Sequence, residues 1–506
     1  MYMTAKNTTG THARMNPVHL YALACLVVLF SSCVIGPNYV PPEIQTPERF
    51  VSNDVFQKIA GRSTLDQISQ QQTSAVNWWK GFEDSILDQL VNEALYQNYI
   101  IAINDARLND AEAQIRSVAS RYKIHSTASI DAGADQRNQF GDQSNSSTSG
   151  GLSGAFSLNW PLDVFGKNKR EVEAAVAELE SASAALRGAI LQVSADVATE
   201  YLRLRGNQRQ LSLLKGSVEL QEKTLSIVQS RFNAGIAPEL DLRRAEAAVE
   251  NLRADLPDLQ ESLINSRNRL AVLTGRFPGE YQYILEEEKN IPTYTNSIEG
   301  KLPIEVLSMR PDVKQAEADL KRAIARIGVE MTEWYPAFQI GKQLSLGGVS
   351  SSGDPLTGTF IAGLNALIQQ VVTDGGARQA NIDIVKARAE EALAVYHQTL
   401  LNAVEEVEAS LAALESALDR EVPLSKSVDA STRSAFQAEV LYRQGLASFL
   451  DVVDAQRVLA SAQQRLASTR TAYAVEIANL FRVIGSSVNI ENERPNIEIK
   501  QTEIPK

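Results

Sequence analysis

A chain of 506 residues is too long for one ordinary domain, and length alone suggests about three. Its composition, 44% hydrophobic, 22% charged and only 6% aromatic, can bury a large core and leans towards long helices and coiled coils. The balance of 49 Lys plus Arg against 61 Asp plus Glu gives −12, which argues against nucleic acid as a partner. Four His and two Cys leave too few ligands for a zinc cage, so no metal or cofactor is expected.

The N-terminus reads as an address. Lys6 and Arg14 precede an apolar run from Leu20 to Phe30. At 1.5 Å per residue that run spans about 16 Å, the length of a signal-peptide core and too short for a membrane helix. It ends in Leu29-Phe30-Ser31-Ser32-Cys33, which resembles the lipobox of bacterial lipoproteins, with Phe30 where a small aliphatic residue is usual. The resemblance implies removal of residues 1–32 and a covalent lipid on Cys33. Cys25 would leave with the signal, so Cys33 would be the one remaining cysteine and no disulfide could form within the mature chain. Val34 rather than Asp follows the cysteine, which is compatible with sorting to the outer membrane. No later stretch reaches the ~18 consecutive apolar residues of a spanning helix, so any membrane crossing must be made by a β-barrel.

The remainder says the same thing twice. Arg231–Glu246 aligns with Leu441–Gln456 at an offset of 210, matching Gly235 with Gly445, Leu240 with Leu450, Asp241 with Asp451 and Ala245 with Ala455. The same offset pairs Gly166 with Gly376 and Gly275 with Gly485. The chain therefore divides into a signal (1–32), an anchored segment (33–84), a first repeat (85–275), a connecting segment (276–302), a second repeat (303–485) and a tail (486–506).

Each repeat opens with a helical run, about 85–121 in the first, and continues into two strands. These fall near 126–134 and 151–160, then near 337–346 and 358–367. Leu152, Phe156, Leu158 and Trp160 share one face of the second strand, with Ser153, Ser157 and Asn159 on the other. Polar, Gly/Ser-rich segments at 135–150 and 347–358 read as solvated hairpin loops. Strands of about ten residues with one apolar face suit a tilted outer-membrane strand. Four strands cannot close a barrel, and an open edge in lipid leaves backbone groups unpaired. Oligomerisation resolves this, with several chains contributing four strands each; a barrel of twelve strands would need three chains.

The helices after each hairpin are unusually long. From Asn168 to Phe232 there is no proline, and Val172, Val176, Leu179, Leu186, Ile190, Val193 and Val197 follow heptad-like spacing. Gly206, Gly216, Pro257 and Pro423 are possible break points. Gly235 and Gly445 suit the C-caps of reversing helices, and Ser448 with Asp451 reads as a capping box that restarts the last helix.

Together these features resemble the TolC-type outer-membrane efflux family, lipoprotein branch. The residues that carry the resemblance are Cys33-Val-Ile-Gly36-Pro37-Asn-Tyr39-Val-Pro41, Trp78-Trp79-Lys-Gly-Phe82-Glu-Asp84, Leu87-Asp-Gln-Leu90, Asn159-Trp160-Pro-Leu-Asp163-Val-Phe165-Gly166, and Arg310-Pro311-Asp312-Val313 with Ala316-Glu317. The resemblance implies a mainly α fold with a β-barrel contribution: a homotrimer with a 12-stranded barrel and a long α-helical coiled-coil periplasmic tunnel. It also implies a periplasmic adaptor and an inner-membrane pump of the resistance–nodulation–division type as partners. Family members latch the closed tip with an aspartate that bonds a tyrosine and an arginine. Here those positions are Asp241, Tyr442 and Ala447, so the arginine is missing. Asp451 and Asp454 fall where rings of acid can surround the pore, although a first-turn carboxylate also suits a helix dipole regardless of function. Arg231, Gly235, Arg443 and Gly445 are candidates for adaptor contact.

No nucleophile elbow or phosphate-cradling loop is present, and His125 and His397 stand apart, so catalysis is not expected. The leading reading is a passive exit duct of a tripartite efflux pump. The alternatives are the duct of a type I protein-secretion system and a coiled-coil lipoprotein without a pore.

Overall fold

The computed structural model describes residues 34–43, 47–52, 54–60, 77–138, 146–282, 285–296, 298, 303–351 and 357–486. Cys33, the signal segment and the tail from 487 lie outside the described residues. In chain order the elements are α1 (Asp54–Ala60), α2 (Ser85–Gln97), α3 (Tyr99–Ser120), β1 (His125–Asn138) and β2 (Ser146–Leu162), then α4 (Lys167–Asn233), α5 (Glu239–Ala254) and α6 (Leu256–Leu273). The second half follows with α7 (Pro303–Met309), α8 (Pro311–Met331), β3 (Ala337–Ser351), β4 (Thr357–Gln369), α9 (Ala377–Arg443) and α10 (Phe449–Val483). No described helix is long and apolar enough to cross a membrane.

Two compact units emerge from this order. Of the described residues, one unit holds Val34–Pro41, Ala111–Leu179 and Asp319–Leu393; the other holds those of Pro42–Asp110, Glu180–Ala318 and Ala394–Ser486.

The first unit contains the sheet. Its four strands pair antiparallel in the order β1-β2-β3-β4, so β1 and β4 are edges. Partners in an antiparallel ladder project to the same side. Ala128 opposite Phe156, and Phe156 opposite Leu344, therefore build one apolar face. That face is left uncovered: Ile130, Leu364 and Phe360 are 83%, 79% and 68% exposed. A face of this kind suits lipid rather than water.

The strands run longer than the alternation suggested, at 14, 17, 15 and 13 residues. The expected hairpin loops shrink to 139–145 and 352–356, because Gly, Ser and Thr residues outside the apolar band still carry the backbone ladder. The loops themselves lie outside the described residues. At the base of the sheet Phe165 packs on Tyr335 at 4.8 Å, and Arg378 stacks over Trp334 at 4.5 Å. Arg378 also donates to Asp374, holding that carboxyl down to about 2.

The segment Val34–Pro41 is fastened in the same unit. Arg170, 3% exposed, donates through Nε to Ile35 O at 3.0 Å and through Nη2 to Gly36 O and Asn38 Oδ1, both at 2.9 Å. A Cβ on Gly36 would come within 2.4 Å of Gly328 Cα, so two backbones meet there without side chains between them.

In the second unit the long helices bury the heptad positions: Leu186, Ile190, Val193 and Val197 are at most 3% exposed. Trp78 stacks on Phe481 at 5.3 Å, and Tyr294 joins Phe481 and Phe82 at the same distance. Of the four possible break points only Pro257 marks a break. It sits in the first turn of α6, after the chain interrupts at Asp255. Gly206, Gly216 and Pro423 lie inside continuous helices of 67 residues. A single flexible residue or one missing amide N–H costs about 1–3 kcal/mol, too little to end a helix of 67 residues. The first helical run, expected to continue from 85 to 121, is instead divided at Asn98. The Asn98 Oδ1 accepts the Ile100 amide at 2.8 Å, and its Nδ2 donates to Leu273 O at 2.7 Å. Arg310 does the equivalent in the second repeat, donating to Val483 O at 2.8 Å while pairing with Asp312 and Glu406. The duplication is thus structural as well as sequential.

Candidate gate at the helical reversals

Both long helices end in the same way. Gly235, at φ +73°, donates to Phe232 O at 2.8 Å, and Ile236 donates to Arg231 O at 2.8 Å. Gly445, at φ +80°, donates to Tyr442 O at 3.0 Å, and Leu446 donates to Leu441 O at 2.9 Å. These are paired Schellman turns, in which the left-handed residue must lack a Cβ. The chain then restarts. Pro238 precedes α5 with Glu239 and Asp241 in its first turn, and Ser448 caps α10 with Asp451 in its first turn. The capping box is complete: Asp451 Oδ2 accepts the Ser448 amide at 2.8 Å, and Ser448 Oγ accepts the Asp451 amide at 3.3 Å. Hydrogen bonds from Ser448 hold the Asp451 carboxyl below its usual range.

Beneath the reversals lies a small core of Val228, Leu242, Ala245, Tyr442, Phe449 and Val452. Leu242 and Val452 are repeat equivalents, so each repeat contributes the residue after its acid to this cluster. Tyr442 is 5% exposed, and its ring lies 6.0 Å from Phe449.

The sequence-derived latch takes a different form. No hydrogen bond joins Asp241 to Tyr442, whose hydroxyl is buried with no partner among the described residues. Burial pushes that hydroxyl's pKa up; the nearby Arg231 lowers it and Asp241 raises it. The ring is drawn into the apolar core, and Arg231 covers it with its guanidinium 4.8 Å from the ring centroid. Arg231 Nη1 also donates to Tyr442 O at 2.8 Å and, at 3.4 Å, to Arg443 O. A cation from the first repeat thereby caps the carbonyl end of the second repeat's long helix. Arg231, expected as an adaptor-contact candidate, also makes a bridge that the sequence did not announce. An arginine near a helix end has no local signature that tells a bridge to another helix from a solvated tip.

The other candidates are more open. Arg443 pairs with Glu439 on its own helix, and Asp454 pairs with Arg457 at 2.7 Å, both members exposed. Asp451 is exposed and Asp241 half-buried. Ala447 is small and half-buried, and offers no charge to either acid. The described residues contain no group of His, Cys, Asp and Glu able to hold a metal ion.

A sheet with two open edges and one lipid-suited face, joined to helices of 67 residues that end in capped reversals, defines a subunit of a membrane channel. The chain belongs to the outer membrane efflux protein family, whose model matches residues 90–276 and again 302–486. Nodulation protein T of Rhizobium leguminosarum bv. viciae is 30% identical over 449 residues, covering 88% of this chain and 89% of that protein. The cation efflux system protein CusC of Escherichia coli K12 is 25% identical over 479 residues, covering 93% and 100%. The solved outer-membrane channel OprN superposes with a TM-score of 0.79 at 28% identity, over 90% of this chain and 99% of that one. The protein is an outer-membrane efflux channel, and its family is one of ducts rather than of enzymes.

Proposed function

We propose that three copies of this chain close a twelve-stranded barrel and that the assembly conducts small molecules passively from a periplasmic adaptor and an inner-membrane pump of the resistance–nodulation–division type. The observation that carries this reading is the four-stranded sheet: its apolar face needs lipid, and its β1 and β4 edges need partners that one chain cannot supply. The relatives point the same way. The curated names of two of them specify cation efflux and toluene efflux, so one duct architecture serves chemically different cargo. Selection of cargo therefore belongs to the pump. The reversals at Gly235 and Gly445 are the surface offered to the adaptor, and Asp241, Tyr442, Asp451 and Asp454 are the gate.

The test is accumulation of fluorescent pump substrates in cells lacking the chain, against complemented cells. Raised accumulation that complementation reverses is the expected result. Unchanged accumulation across several chemically different dyes would favour dedicated secretion or a pump with narrow cargo. A lipid on Cys33 completes the proposal: Cys33→Ser should lose metabolic labelling by palmitate, and retained label would remove the anchor from it.

A further inference from the structure

The two repeats are related by two offsets, not one. The family match begins at 90 and 302, which are 212 apart, and ends at 276 and 486, which are 210 apart. The structure shows the same change. Asn98 and Arg310, 212 apart, hold the carbonyls of Leu273 and Val483, 210 apart. β1 begins at His125 and β3 at Ala337, again 212 apart. The two lost residues fall in the hairpin loop, where seven residues separate β1 from β2 and five separate β3 from β4. Hence β1 maps onto β3 by 212, and β2 maps onto β4 by 210. The mapping has a check within the chain. Ala128 opposite Phe156 maps to Ile340 opposite Ala366, and that pair is observed.

One further junction follows from this relation. β2 pairs with β3 inside the chain, which is the passage from the first hairpin to the second. The passage from the second hairpin of one copy to the first hairpin of the next is its repeat equivalent. Resting on the three-copy reading above, we propose that β4 of one copy pairs antiparallel with β1 of the next in the register copied from β2·β3. Leu158 opposite Lys342 becomes Ile368 opposite Ile130. Phe156 opposite Leu344 becomes Ala366 opposite Ala132, and Gly154 opposite Leu346 becomes Leu364 opposite Ala134. The side chains agree with this seam. In these three pairs apolar meets apolar on the face that carries Phe156, whereas a slip of one residue would set Ile368, Ala366 and Leu364 against β1 residues that project to the other face. The occupant of both open edges is therefore a second copy of this chain, at a defined residue-to-residue match.

Paired cysteines in the full chain, oxidised in isolated outer membranes, test the register. Ile130→Cys with Ile368→Cys is the predicted pair. Ala128→Cys and Ala132→Cys, each with Ile368→Cys, represent slips of two residues in either direction. Within one chain Ile130 lies opposite Gly154 rather than near Ile368, so a bond must join two copies. Directly opposed residues sit at disulfide distance, while diagonal neighbours at roughly 7–8 Å do not, so the predicted pair should link roughly tenfold faster than either slip. Each single-cysteine chain supplies the background, and trimer content of the reduced variants reports assembly. Covalent dimers and trimers from the predicted pair support the register. Faster linking at a slipped pair, or none at any pair in a chain that still forms trimers, would overturn the register and leave the three-copy reading intact. A wild-type chain that sediments as a monomer from mild detergent would overturn the three-copy reading, and the seam with it.

Discussion

Replacing Arg231 by alanine should loosen the second reversal while leaving the first intact. The side chain makes one good hydrogen bond to Tyr442 O, a long contact to Arg443 O and a stack over the Tyr442 ring. A charged donor to a carbonyl contributes about 1.5–3 kcal/mol, and a partly exposed cation–π contact adds about 0.5–1 kcal/mol. The contact at 3.4 Å adds little. Tyr442 O also accepts from the Gly445 amide, so it is not left bare when the guanidinium goes, which favours the lower end of the range. A net loss of about 2 kcal/mol corresponds to roughly thirty-fold more frequent opening of the turn. Amide hydrogen exchange reads this directly, because the Gly445 and Leu446 amides close the turn on Tyr442 and Leu441. Their protection should fall by that factor, with Gly235 and Ile236 as internal controls. Arg231→Lys should fall between the two, since an ammonium keeps the charge but not the planar fork. Unchanged protection at Gly445 and Leu446 would show that the bridge does not hold the turn.

Three further outcomes are expected. Phe156→Arg, on the apolar face of β2, should cost about 2–4 kcal/mol at mid-bilayer depth and abolish trimers; normal assembly would remove this face from lipid. The Asp451 carboxyl is held below its usual range by Ser448, so its contribution is full at pH 7 and above the unfolded carboxylate value near ~3.9. It is lost as pH falls through the lowered folded value. Protection factors in the first turn of α10 should therefore drop towards pH 3, and Ser448→Ala should weaken that dependence. A wild-type profile flat to pH 3 would contradict the capping role. Asp454→Ala should raise basal conductance or reduce cation preference in planar bilayers, while unchanged currents would take Asp454 out of the gate.

Much of this protein is written in short-range pattern. The strand alternation, the heptads of the long helices, the glycine C-caps and the Ser448–Asp451 capping box are all local, and the repeat offset needs only the chain compared with itself. Each is a consequence of one residue's stereochemistry or of a fixed period, and needs no distant partner to be recognised. The need for several chains was equally legible, since four strands and two open edges follow from counting.

Tertiary structure decided what depends on competition between distant groups. Pro423 sits inside α9 whereas Pro257 lies in the first turn of α6, and nothing local to either proline tells the two apart. Asn98 divides the first helical run because Leu273, 175 residues away, supplies a carbonyl for its amide. Asp241 and Tyr442 stay unbonded, with the ring packed in the core of Val228, Leu242 and Phe449 and Arg231 over its face. Sequence fixes which groups are available, but which of them meet depends on the burial and approach of helices far apart in the chain.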